Sequence, residues 1–240
     1  MEALEYNTGT LHLVSTPIGN YADLTIRAYN TLRDCDFVIC EEFKEASKLL
    51  KYFELKKELR QLDEHNETEI IDEYISELLS GKEIALISDC GTPVFADPGL
   101  KLLNRCRELN IKLNFIPGAN SVLAAIVLSG FDISRFYYIG FLSPISNIRK
   151  KELKELVSLS RTFVILDTPY RLKTVLTDIE AILPERDIFI GFNLTMEDEI
   201  QFRGTAKIIL EKIKDISGDE NFKGEYVIVV NKEILKHTEI

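Results

Sequence analysis

The chain has 240 residues, a formal net charge of −10 at pH 7, 45% apolar residues and 28% charged residues. That balance suits a globular protein of one large or two small domains and excludes a broad nucleic-acid footprint, although it leaves room for a local basic patch. No apolar run reaches the length of a membrane span and residues 1–5 lack the pattern of a signal peptide, so a cytoplasmic protein with no membrane partner is expected.

The four cysteines, Cys35, Cys40, Cys90 and Cys106, form no CxxC pair and no zinc spacing. They are read as reduced thiols, and no metal is expected.

Taken in order, residues 11–14 predict a first strand that runs into the turn-rich loop Thr16-Pro17-Ile18-Gly19-Asn20. Asp23 or Thr25 is placed to cap the helix that follows, to about residue 32. This loop has neither the Gly-x-Gly-x-x-Gly spacing nor a Walker lysine. Residues 37–40 predict a second strand, ending in Glu41-Glu42-Phe43-Lys44 before a helix at 46–52. A third strand near 59–62 ends in Asp63-Glu64-His65-Asn66-Glu67. The next helix is marked by Ile70, Ile71, Tyr74, Ile75, Leu78 and Leu79 on one stripe, with Gly81 where a helix end favours a left-handed residue.

Residues 84–87 are a short apolar run that reads as a buried parallel strand. It breaks into Ser88-Asp-Cys-Gly-Thr-Pro-Val-Phe-Ala-Asp-Pro-Gly99, longer than an ordinary strand-to-helix connection and stiffened by proline. A helix at 100–109 and a strand at 113–116 follow. Pro117-Gly118-Ala119-Asn120-Ser121 marks a boundary, giving expected domains 1–118 and 119–240. The second half predicts helices at 122–128, 147–159, 172–183 and 206–213. Its strands are expected at 137–141, 163–166, 188–191, 201–202 and 226–230. The fold class is therefore α/β, with two α/β domains.

Polar clusters sit at the carboxyl ends of these strands: Thr16-Pro17, Glu41-Glu42, Asp63-Glu64-His65, Ser88-Asp89, Asn120-Ser121 and Asp167-Thr168. In a parallel sheet such ends share one edge, where ligands of open α/β folds bind. Turn chemistry alone accounts for many of these residues singly.

Several motifs together resemble one family. They are residues 9–20 (Gly-Thr-Leu-His-Leu-Val-Ser-Thr-Pro-Ile-Gly-Asn), Ser88-Asp-Cys-Gly-Thr-Pro93 with Asp97-Pro98-Gly99, Ile116-Pro-Gly118, Ser129-Gly130, Gly140-Phe-Leu142 and Thr168-Pro-Tyr-Arg-Leu172. The chain is similar in these to the tetrapyrrole methylase superfamily, and within it to the ribosomal RNA small subunit (cytidine-2′-O)-methyltransferase branch, over roughly residues 9–231. The resemblance implies a homodimer and S-adenosylmethionine in a cleft between two α/β domains. By position it implies that Pro17, Cys90, Gly91, Thr92, Phe95, Asn120, Ser121, Asp167, Gly204 and Thr205 surround the cofactor.

The branch usually has Glu-Asp-Thr-Arg where this chain has Glu41-Glu42-Phe43-Lys44. It usually has a His where Asp63 stands, Glu-x-Pro-His-Arg where Asp167-Thr168-Pro169-Tyr170-Arg171 stands, and Leu-Thr-Lys where Leu194-Thr195-Met196 stands. The cofactor motifs are better kept than the substrate motifs.

For the chemistry, Glu42 and His65 are the candidate proton acceptors, with Glu41 and Glu42 as a carboxylate pair. Lys44, Arg149, Lys150 and Arg171 are the candidate phosphate contacts. Each has a plainer reading: a capping or loop-bonding histidine, a solvated acidic face, an exposed basic helix start or an interface arginine. Three functions follow. One is 2′-O-methylation of a cytidine in small-subunit ribosomal RNA, with the RNA or the ribosomal subunit as partner. The others are methylation of a tetrapyrrole or other small molecule, and S-adenosylmethionine binding without catalysis.

Overall fold

A computed structural model describes residues 8–217 and 224–234. The chain divides into two compact units, Met1–Asn120 and Ser121–Ile240.

The first unit alternates strand and helix: β1 (Thr10–Val14), α1 (Ile26–Asp34), β2 (Phe37–Cys40), α2 (Phe43–Tyr52), β3 (Glu58–Gln61), α3 (Glu67–Leu79), β4 (Ile84–Ile87), α4 (Leu100–Glu108) and β5 (Lys112–Ile116). All five strands are parallel, in the order β3-β2-β4-β1-β5. Strands β2 and β4 are buried at every position because helices cover both faces, which is why they read as unbroken apolar runs. Successive side chains alternate between two cores. Phe37, Ile39, Ile84 and Leu86 pack with the α3 stripe Ile71, Tyr74, Ile75 and Leu78. Val38, Cys40, Ala85 and Ile87 pack with Ala28 and Leu32 of α1 and Ala46 and Leu49 of α2.

Local chemistry sets the helix ends. Thr25, not Asp23, caps α1: its Oγ1 accepts the Ala28 N–H at 3.1 Å. Asp23 lies in a short 3-10 turn headed by Asn20, whose Oδ1 accepts the Ala22 N–H. Helix α2 begins three residues before the apolar pattern starts, because Phe43 at its first position is exposed and adds nothing to that pattern. Gly81 follows α3 with φ +98°, as its position requires.

The second unit comprises α5 (Ser121–Ser129), β6 (Phe136–Phe141), α6 (Ser146–Leu156), β7 (Thr162–Asp167), α7 (Leu172–Ile182), β8 (Arg186–Phe192), β9 (Ile200–Gly204), α8 (Ala206–Ser217) and β10 (Tyr226–Ile234). Its sheet is mixed, in the order β6-β7-β10-β8-β9. Strand β10 runs antiparallel to both β7 and β8, and β9 antiparallel to β8. The core gathers Phe163, Ile165, Ile190, Phe192 and Ile228 with Val175, Leu176 and Ile179 of α7.

This topology separates two strand ends. Carboxyl ends share one edge throughout the first sheet, but in the second the end of β9 lies at the opposite edge from that of β7. Gly204 pairs with Ile188 near the start of β8, whereas Asp167 pairs with Tyr226, which pairs in turn with Phe192 at the end of β8. Four residues of strand, about 13 Å, separate the two levels.

One correction concerns Arg149. It is only 2% exposed, so it is not part of an open basic helix start. Its Nε and Nη2 donate to Asp178 Oδ2 at 2.8 and 2.7 Å, and Nη1 donates to the Ser143 and Pro144 carbonyls. Lys150 stays exposed, with Nζ 3.4 Å from Asp178 Oδ1. Asp178→Ala should therefore leave a buried guanidinium without its counter-charge and cost about 3–5 kcal/mol. Lys150→Ala should cost under about 1 kcal/mol. Urea denaturation of both variants checks the contrast; equal losses would show that the buried pair is not what holds α6 to α7.

Candidate functional site

In the first unit, the loops after β1, β4 and β5 are bonded to one another. Thr16 and Gly91 clasp: the Thr16 N–H donates to the Gly91 carbonyl at 2.8 Å, and the Gly91 N–H donates to Thr16 Oγ1 at 3.0 Å. The Thr16 hydroxyl donates to the Ser88 carbonyl at 3.1 Å. Cys90 Sγ reaches the Ile18 carbonyl, and Asn120 Nδ2 donates to Thr92 Oγ1 at 3.3 Å. Gly118 lies so close to Ser15 that a Cβ there would stand 2.9 Å from the serine Cβ. Gly91 has φ +88°, a left-handed conformation that only glycine adopts cheaply. Val94 and Ala96 also have positive φ, +67° and +71°, so the loop after β4 holds backbone strain that its bonds must sustain. The outcome is a rim of fixed peptide groups, with a small cleft lined by Thr16, Pro17, Tyr21, Ser88 and Asp89.

The structure thus brings together Pro17, Cys90, Gly91, Thr92 and Asn120 of the expected cofactor set, with Phe95 exposed on the same loop. Ser121 opens α5 in the second unit. Thr205 is instead a helix cap, its Oγ1 accepting the Ile208 N–H at the start of α8. A Cβ on Gly204 would press on Ile208 at 3.0 Å. Both residues stand at the β9–α8 turn.

Beside the clasp, carboxylates crowd the ends of β2, β3 and β4. The Glu41 carboxyl is pushed up to about 7, chiefly by burial and then by the charges of Asp89, Asp97, Glu64 and Glu42. Burial also raises Asp89 and Asp97. Asp89 Oδ1 accepts the Glu42 N–H at 3.1 Å, which ties the β4 loop to the start of α2. Glu64 and Asp97 line an open groove of about 470 Å³ with Pro98 and Gly99. Glu42 and His65, the two expected proton acceptors, are both exposed at neighbouring strand ends. The His65 backbone N–H is held by Asp63 Oδ1, and Asp63 and Asn66 bond each other reciprocally, so Asp63 builds the turn.

Two residues outside the expected set hold this edge together. Buried Glu67, the first residue of α3, accepts the Gly99 and Lys101 N–H groups at 3.1 Å each, capping α4 from the neighbouring helix. Thr16 makes the clasp. No sequence spacing announces either partnership, since both join segments more than 30 residues apart.

In the second unit, Asp167 is 3% exposed and its Oδ2 has no hydrogen-bond partner; the neighbouring Tyr226 hydroxyl has none either. Burial raises the Asp167 carboxyl, against the pull of the Thr168 N–H and Arg171. Arg171 is committed to Asp167 at 3.1 Å and to the Leu142 and Ser143 carbonyls. Of the four expected phosphate contacts, Arg149 and Arg171 are thus consumed inside the fold, while Lys44 and Lys150 remain exposed.

The family model described as Tetrapyrrole (Corrin/Porphyrin) Methylases matches residues 10–209. A ribosomal RNA small subunit methyltransferase I of Synechocystis is 36% identical over 223 residues, covering 92% of this chain and 78% of the relative. A protein of the same name from Thermotoga maritima is 38% identical over 196 residues, covering 82% and 88%. Among solved structures, uroporphyrin-III-C-methyltransferase from Thermus thermophilus superposes with a TM-score of 0.63 at 18% identity, covering 93% of this chain and 94% of that one, a likeness of fold alone. With its two α/β sheets and its matched span, the chain belongs to the tetrapyrrole (corrin/porphyrin) methylase family.

Proposed function

We propose that this methyltransferase acts on small-subunit ribosomal RNA, carrying a methyl group from S-adenosylmethionine to the 2′-oxygen of a cytidine. The observation that carries the reading is the 36% identity to a small-subunit ribosomal RNA methyltransferase along 92% of the chain. The clasped loop edge supports it from the side of the chemistry.

The residues present fit the cofactor. Ser15 Oγ and Asp167 Oδ2 are buried polar atoms without partners, one under the β1 loop and one at the end of β7. Such atoms are costly unless a ligand or water completes them. Each is taken within its own unit: in the first, Ser15 with the peptide groups of the 91 and 118 loops suits a carboxylate, and in the second Asp167 suits a cationic group. The Thr16–Gly91 clasp holds that cradle in place before any ligand arrives. When bound, S-adenosylmethionine supplies a methyl group already activated on a sulfonium sulfur.

The chain's remaining task is to align the ribose hydroxyl and take its proton. We assign that proton to Glu41 in preference to exposed Glu42 or His65, because a half-buried carboxylate poised near neutrality accepts a proton at working pH. Asp89, Asp97, Glu64 and Glu42 sustain that poise.

The clasp gives the first test. Thr16→Val removes the hydroxyl that both receives the Gly91 N–H and bonds Ser88, and calorimetry should show S-adenosylmethionine affinity at least about tenfold weaker, since an unpaired buried amide costs about 1–3 kcal/mol. Unchanged affinity in the folded variant would separate the clasp from the cofactor.

Glu41 gives the second. Below pH 7 the folded protein holds the Glu41 proton and cannot accept another, so kcat/KM should fall as pH drops through about 7. Because its folded value is raised, this group's contribution to stability is full below its ordinary value and is lost as pH rises through about 7. Glu41→Gln should lower kcat by about 10²-fold or more, abolish the acid limb and soften that loss of stability. A Glu41→Gln enzyme with the wild-type pH profile would exclude Glu41 as the acceptor.

A homodimer is also part of the proposal. Helix α5 exposes Leu123, Val127 and Leu128, and the edge strand β6 exposes Phe136, Tyr137, Tyr138 and Phe141. Apolar surface of that extent on one unit suits a self-complementary interface. Light scattering should give twice the chain mass of 27.4 kDa, reduced to one chain by Val127→Glu. A wild-type protein of one chain mass at micromolar concentration would end this part of the reading.

The acceptor itself is tested with tritiated S-adenosylmethionine, unmodified small subunits, free ribosomal RNA and tetrapyrrole precursors in parallel. Label in the RNA of the subunit is the expected result, and label confined to a small molecule would overturn it.

A further inference from the structure

Helix α2 carries Lys44, Lys48 and Lys51 at i, i+4 and i+7, directly opposite its buried residues Ala46, Leu49 and Leu50. The outermost row of the helix is therefore all lysine, over about 10 Å. Just beyond its end, Lys51, Lys56 and Lys57 line an open groove of about 870 Å³ together with Ser47 and Glu54. In a chain of net charge −10, residues 43–57 hold five lysines and two glutamates. Glu45 pairs with Lys48 at 2.7 Å, and Lys57 is bonded to the Cys35 carbonyl. Lys44, Lys51 and Lys56 are exposed and enter none of the ion pairs found among the described residues.

Aromatic rings run alongside. Tyr21 and Tyr52 lie 4.6 Å apart between centroids, Tyr52 and Phe53 5.0 Å, and Phe53 and Tyr29 6.0 Å. Tyr52 is 60% exposed, yet it is held by rings on two sides, so its free face is a fixed platform. Tyr21 belongs at the same time to the small cleft with Thr16 and Asp89. The start of α2 is tied to that edge through the Glu42–Asp89 bond. The lysine row thus leads directly away from the candidate catalytic edge.

We propose that this face, the α2 lysine row with the Tyr52 ring and the Lys51–Lys57 groove, is the landing surface for the single-stranded RNA that flanks the methylated nucleotide. The inference rests on the RNA reading above and extends it to a place on the molecule. Ammonium groups at helical spacing meet consecutive phosphates, and an exposed, braced aromatic ring stacks an unpaired base without reading its identity.

The test uses the full chain, a short fluorescein-labelled single-stranded RNA and unmodified small subunits. The triple variant Lys48→Glu, Lys51→Glu, Lys56→Glu should bind the RNA at least tenfold more weakly. Its dependence of log affinity on log salt should be shallower by about three, one for each ammonium group removed from a phosphate. KM for the subunit should rise while kcat at saturation and cofactor affinity hold. The corresponding Lys→Gln triple, which keeps the helix free of added repulsion, should fall between variant and wild type, and Tyr52→Ala should weaken RNA binding with no change in salt slope. Wild-type RNA affinity and salt slope in both triples would overturn the surface. Methylation of subunits with KM unchanged in the triples would overturn it while leaving the RNA reading intact. RNA binding abolished in the triples, beside a wild type that labels no RNA, would keep the surface and end the acceptor reading.

Discussion

The reciprocal bond between Thr16 and Gly91 is the constraint on which the candidate site depends. Two loops 75 residues apart exchange backbone and side-chain bonds, and the same threonine hydroxyl closes on Ser88. Without this clasp the loop after β4 would have to keep Val94 and Ala96 at positive φ by itself. With it, the strain sits inside a bonded frame, and peptide groups stay aimed outward at no further entropic loss when a ligand arrives. Glu67 does the equivalent work at the other end of the same loop, where it fixes the start of α4.

Much of the fold was legible in the sequence because burial on both faces leaves a plain signature. The Ile84–Ile87 run and the α3 stripe need no long-range information to be recognised. The start of α2 was not legible, since exposed Phe43 hides it, and neither was the direction of β9, because strand polarity is set by partners and not by composition. At the site the same division holds. Gly118 could be singled out from the turn chemistry of the 117–121 boundary, and Gly91 from the family resemblance. The fates of Arg149 and Arg171 could not: a basic residue at a helix start looks the same whether it meets solvent, an aspartate from the next helix or one at the end of the preceding strand. Only Asp178 and Asp167 decide that.

Electrostatically, the first unit keeps its charges apart. Five carboxylates gather at the ends of β2, β3 and β4, where burial and then the charges of the other four raise the proton affinity of Glu41, while lysines line the outer face of the neighbouring helix. A polyanion approaching such a protein is repelled from most of its surface, so the few orientations that remain favourable are selected during encounter. An acidic total charge is in this sense compatible with a nucleic-acid substrate, provided that the positive charge is concentrated.

The place of β10 bears on how the protein is made. The first sheet is assembled from strands that all lie between Thr10 and Ile116, so its core is complete early in synthesis. The second sheet has its last strand in the middle, with β7 on one side and β8 on the other. Until Tyr226 and the residues after it emerge from the ribosome, β7 and β8 present unpaired edges and Phe163, Ile165 and Ile190 lack the strand that covers them. A nascent chain therefore carries a finished first unit and an open second one from the end of β5 until β10 appears. Truncation just before β10 would remove the keystone of a sheet, not a dispensable tail.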